Sequence, residues 1–210
     1  MRVFLDGQTI SIPNGEGGSV ATAIAVARAV AGAQGRVIID VRVDGERLDD
    51  EALESPSDKP AGDIEFKCIS ADPRQLVAES FADVSRALEG ARPVQREAAE
   101  SLQTGQLDAA FEQLAGALEV WDAVHRVTEQ GPALLGVPLS SLDTEGSKGV
   151  ERDLAALSAT LQQVKDAVGG QDWSTLADLL THELDSAADQ WSRRLNTFGK
   201  RTHPGAGGGV

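Results

Sequence analysis

With 41% hydrophobic residues over a length of 210, yet five Phe, three Trp and no Tyr, the chain must build its core mainly from Leu, Val and Ala, a composition that suits helices. Its net charge of -14 is spread along the whole chain, with seven Lys or Arg against twelve Asp or Glu in residues 1–70 and twelve against twenty-one in residues 71–210, which excludes the clustered cations that nucleic-acid binding rests on. A single cysteine excludes an internal disulfide, and no apolar run reaches signal-peptide or membrane-spanning length, so the expected location is the cytoplasm and the expected partners include neither nucleic acid nor membrane.

In chain order the first elements alternate with period two. Arg2 to Leu5 and Gln8 to Pro13 flank Asp6-Gly7, a dipeptide that accepts the positive backbone angles of a tight hairpin. The Gly-rich stretch Asn14 to Gly18 reads as a flexible connection, since its glycines match neither a P-loop nor a dinucleotide fingerprint. Ser19 can cap a helix whose face carries Val20, Ile24, Ala27 and Val30, and Gly35 can end it. The next run places Val37, Ile39, Val41 and Val43 on one strand face and ends at a second Asp-Gly, Asp44-Gly45. After a polar, Pro-containing stretch, the strand Asp63 to Ile69 turns Ile64, Phe66 and Cys68 inward.

This order of hairpin, helix, strand and strand resembles the β-grasp or ubiquitin-like superfamily, in which a mixed sheet wraps one helix. The resemblance implies kinship with sulfur carriers and protein modifiers, which expose a Gly-Gly terminus directly after their last strand. Here that strand ends at Cys68-Ile69-Ser70, and the diglycine within Gly207-Gly208-Gly209-Val210 lies far downstream behind Val210, so carrier chemistry would require processing.

Past Asp72 the period changes to three and four. Asp72-Pro73 opens a helix through Val77, Phe81, Val84 and Leu88 that is expected to stop near Gly90, and a second starts near Pro93 with Val94, Ala98 and Leu102. The third, Gln106 to Glu129, has Leu107, Phe111, Leu114, Leu118, Trp121 and His125 as its seam and would be about 36 Å long. The fourth carries Leu154, Leu157, Leu161, Val164 and Val168 and stops at Gly169-Gly170; Asp172 caps the fifth, with Leu176, Leu180, Leu184, Ala187, Trp191 and Leu195. Helix, Gly-Gln and Trp-bearing helix recur at Gly105-Gln106 and Gly170-Gln171, which suggests a weak duplication. The expected fold is α+β: a β-grasp-like mixed sheet with one helix over 1–70, an antiparallel bundle of about five helices over 71–198, and a flexible Gly-rich tail over 199–210 that includes His203.

No catalytic, cofactor or metal site emerges from these residues. Asp122 and His125 have the spacing of a di-metal half-site, but Leu179 stands where the matching acid before His182 is needed. His182, Glu183 and Asp185 read as a solvated helix face, Arg193, Arg194, Lys200 and Arg201 as a solvated helix end, and Cys68 as an inert inward thiol. The connection Gly131 to Gly149 is longer than helix pairs need and carries Leu134, Leu135, Val137, Leu139 and Leu142, which either strap the bundle end or bind a partner. The reading is a non-enzymatic protein-interaction adaptor or scaffold, able to self-associate through its helices as a homo-oligomer; the alternatives are a ubiquitin-like modifier or carrier and a metal-binding helical protein.

Overall fold

The computed structural model describes residues 1–12, 18–143 and 147–203; side chains are described outside 144–148. The chain is α+β and divides into two compact units, Met1–Pro73 and Arg74–Val210.

In the first unit, strand β1 (Arg2–Leu5) and strand β2 (Gln8–Ile10) form the hairpin expected from Asp6-Gly7, whose φ angles are 51° and 80°. Helix α1 (Val20–Ala33) is capped by Ser19, whose hydroxyl accepts the Thr22 N–H at 3.1 Å. Strand β3 (Val37–Val43) turns at Asp44-Gly45 into a two-residue strand β4 (Glu46–Arg47); a short helix α2 (Asp50–Glu54), capped by Asp49, precedes strand β5 (Glu65–Ala71). The strand order is β2-β1-β5-β3-β4, with β1 and β5 parallel and the other pairs antiparallel. Val3, Leu5, Val41, Phe66 and Cys68 pack with Ala23, Ile24, Ala27 and Ala31 of α1 in one core.

β3 departs from strict alternation. A bulge between Ile38 and Asp40 inserts Ile39, so Ile38 packs on the core and Ile39 turns outward, 44% exposed, instead of sharing a face with Val41. The Gly-rich connection lies mostly in 13–17, outside the described residues.

The second unit has its own core. Helix α3 (Pro73–Gln103) is a single element: the break expected between Gly90 and Pro93 does not occur. An internal proline costs a helix about 3 kcal/mol, and here contacts on both sides of Pro93 offset it. Arg92 pairs with Asp185 and Gln95 accepts from Trp121 Nε1 at 3.4 Å.

Helix α4 (Leu107–Leu134) runs through Pro132, past the expected end at Glu129, and a 3-10 turn at Leu139–Leu142 leads to helix α5 (Ser147–Gly170). Helix α6 (Trp173–Asp178), a π turn at Leu179–Glu183 and helix α7 (Leu184–Thr202) follow. α3 runs antiparallel to α4, as Ser101–Gln113 and Gln95–Trp121 pairs show, and to α7, as Ser85–Ser192 and Arg92–Asp185 pairs show. α7 is antiparallel to α5.

The seam of α4 is Ala110, Leu114, Ala117, Trp121, Val124 and Thr128; Phe111 and His125 lie outside it, a rotation of the expected line. α7 continues through Thr202, so the expected boundary at 198 falls inside a helix: Gly199 is buried against the Ala78 carbonyl, and His203 is the helix C-cap. The remainder of the expected tail, 204–210, lies outside the described residues.

Candidate functional site

α1 covers one face of the sheet. On the other face, β1 and β5 bring Phe4 and Ile69 together, Ile69 being 47% exposed, beside a concavity of about 830 Å³. Alternation along each strand produces this: Val3, Leu5, Phe66 and Cys68 point to α1, so their neighbours point away. The same alternation sets a charged rim of Asp40, Arg42, Glu65 and Lys67, where Lys67 pairs with Glu65 at 2.6 Å and Arg42 with Asp40 at 2.7 Å. An apolar centre inside a ring of internally satisfied charges is the anatomy of a protein interface.

At the end of this face a polar clamp holds the strand ends. Ser70 donates its N–H to Asp6 at 2.7 Å and its hydroxyl at 2.6 Å, while Arg36 donates to the Ser70 hydroxyl and carbonyl at 2.7 and 2.6 Å. The two bonds from Ser70, helped by Arg36, hold the Asp6 carboxyl below the usual range for an aspartate. Cys68 is 2% exposed, and burial, reinforced by the charges of Asp40 and Asp6, pushes its thiol up to about 11. A thiol held protonated in this way is not a nucleophile.

The residues singled out on the helices are not brought together. Asp122 pairs with Arg126 and exposed His125 with Glu129, each one turn along α4. His182 and Glu183 are exposed on the π turn, whereas Asp185 is bound by Arg92 at 2.8 and 3.0 Å and by Arg96 at 3.2 Å, so it is not part of a solvated face. The bond from Arg92, with help from Arg96, lowers the Asp185 pKa. Among the described residues no three His, Cys, Asp or Glu side chains group as metal ligands.

Of the candidate partner-binding residues, Leu142 is buried in the bundle core, Leu135 and Leu139 pack against it, and Val137 is half-buried. Leu134 is 44% exposed and borders a groove of about 450 Å³ with Leu76, Val84 and Val127 between α3 and α4. The segment therefore presents one leucine outward and spends the other three on the core.

A buried ionic network was missed in the sequence. Arg194, with its side chain 10% exposed, reaches Asp143 at 2.8 Å and Asp153 at 2.5 Å; Gln190 donates to Asp153, Arg201 to the Asp143 carbonyl, and Asp143 accepts the Val150 N–H. Arg194 is thus not part of a solvated helix end, whereas Arg201 is exposed and tied down through the Asp143 carbonyl. The missed signal is phase: Arg194 lies three residues from Trp191 and four from Gln190, on the side that faces α5. A second polar contact, Ser85 to Ser192 at 2.8 Å with Asn196 donating to Ser85, joins α3 to α7.

A family described as a domain of unknown function, DUF8042, matches residues 79–194, more than half of the chain, and the protein belongs to that family. The match spans α3 to α7 up to Arg194 and none of the sheet unit. No curated protein and no solved structure matches the chain. Among the described residues no helix is long and apolar enough to cross a membrane.

Proposed function

We propose that the protein is a non-enzymatic interaction adaptor, in which the helical bundle, the part of the chain that its family matches, carries a β-grasp-like sheet unit that presents its open face to a protein partner. The observation that carries this reading is the apolar centre of half-buried Phe4 and exposed Ile69 with its rim of paired charges. The strand order β2-β1-β5-β3-β4 around α1 supports the β-grasp-like description. The polar groups of the chain support binding over catalysis, because the buried ones are spent on each other, as in the Arg194 and Asp185 networks, and the thiol is protonated.

Ile69→Asp places a charge in the centre of the face without touching the core, and it is expected to abolish capture of the native partner from the source cell while the melting temperature moves by no more than about 2 °C. Undiminished capture by a folded Ile69→Asp protein would remove the reading.

A further inference from the structure

β3 is paired along its whole length on one side only. Its β5 side is paired from Val37 to Val43, whereas β4 meets it only at Arg42 and Val43, with one further bond from the Leu48 N–H to the Val41 carbonyl at 2.9 Å. Among the described residues the outer edge of Val37 to Asp40 has no strand partner, a free edge of about 13 Å at 3.3 Å per residue.

Beside that edge lies a cavity of about 370 Å³. Its apolar wall includes Ile38, Val41, Leu48 and Leu53, and its rim carries Arg28, Arg36 and Arg47 against the single acid Asp40. Three of the seven basic residues in the first seventy thus converge on one groove, in a segment with twelve acids. Arg47 pairs with Asp40 at 3.3 Å and Arg36 is engaged by Ser70, while exposed Arg28 has no ion pair among the described residues.

Unpaired strand edges are usually blunted by bulges or charge to prevent uncontrolled pairing, and the Ile39 bulge together with the arginines would serve for that alone. Blunting does not require an apolar cavity next to the edge. Added-strand recognition requires the combination found here: backbone groups for affinity, pockets for alternate side chains and charges for selection.

We infer that the free Val37–Asp40 edge of β3 is a docking groove for an extended acidic peptide of a partner protein, which adds as a strand, lays alternate apolar side chains against Ile38, Leu48 and Leu53 on the α1 side, and turns the carboxylates between them to the opposite face, where Arg47 stands. The inference rests on the adaptor reading and names the partner chemistry of the same sheet unit.

The probe is a fluorescein-labelled, end-blocked octapeptide alternating Val and Glu, titrated against the full chain by fluorescence anisotropy. Its counterparts carry Lys for Glu, or N-methylated residues that remove the backbone donors. Saturable binding of the acidic peptide is expected, with amide NMR shifts at Val37 to Val41, Leu48 and Leu53, no binding of the other two peptides, and about three- to fivefold weaker binding by Arg47→Ala, the upper part of the range for one exposed ion pair.

Absence of binding, equal binding of the Lys or N-methylated peptide, an unchanged affinity in Arg47→Ala, or shifts centred on Phe4 and Ile69 would each overturn the inference. So would shifts at the edge that depend on protein concentration without peptide, which would assign it to a second copy of the chain. The adaptor reading fails separately, through undiminished capture by Ile69→Asp.

Discussion

Arg194 shows how much a single residue depends on its surroundings for meaning. Read by type, it is one of four basic residues near the end of an acidic chain; read by position, it is a cation enclosed by Asp143 and Asp153, whose side chains are 3% and 7% exposed. Removing one partner of a buried pair is far costlier than replacing the pair, because the remaining charge stays desolvated. Arg194→Ala removes the cation buried between two carboxylates and is expected to cost about 3–5 kcal/mol in chemical denaturation, whereas Arg193→Ala, which breaks only an exposed pair with Asp189, is expected to stay within about 0.5 kcal/mol. Equal losses in the two variants would mean that the network contributes nothing beyond surface charge. The sequence could not separate these neighbours by type; only the phase of α7 against Trp191 does so.

Elements were more legible than residues, and the places where they were not have specific physical causes. The Asp-Gly hairpins and the caps at Ser19 and Asp172 appear where local chemistry demands them. The continuous α3 does not, because its cohesion through Pro93 comes from α4 and α7, which are distant in sequence. The π turn did leave a trace. Leu176, Leu180, Leu184 and Ala188 are all buried at successive intervals of four, and a 3.6-residue helix would rotate such a run off its face unless an extra residue is inserted.

The two interhelical turns extend the argument. Gly105 and Gln171 both take positive φ, 77° and 55°, and in both the next N–H reaches back five residues, Gln106 to Ser101 and Asp172 to Ala167. The structural equivalence is therefore Gly105 with Gln171, one residue removed from the Gly-Gln pairing seen in the sequence. A side chain in the left-handed region costs about 1–2 kcal/mol that glycine avoids. Gln171→Gly is expected to raise the stability of the bundle by about 1 kcal/mol, a shift of about 2–4 °C in the melting temperature for a domain of this size. A lower melting temperature would mean that Gln171 has a stabilising contact that outweighs its backbone conformation.

At the scale of the whole molecule, the change of period near residue 70 located the boundary, which falls after Pro73, because alternation and helical repetition bury faces in incompatible ways. The interaction surface was not legible, since the exposure of Ile69 and Ile39 follows from strand order and from a bulge rather than from composition. The two hydrophobic clusters share no residue, and Trp121, Trp173 and Trp191 all belong to the bundle cluster. Tryptophan fluorescence therefore reports one unit only. Phe66 is fully buried in the other cluster, and truncating a buried Phe to Ala costs about 3–5 kcal/mol, a large share of what a domain of some seventy residues can hold. Phe66→Ala is expected to eliminate the far-ultraviolet strand signal and the amide dispersion of β1, β3 and β5 while the tryptophan-detected midpoint of denaturation stays where it was. If that midpoint falls together with the strand signal, the separate cores do not unfold as separate units, and the sheet unit cannot be regarded as a module carried by an independent bundle.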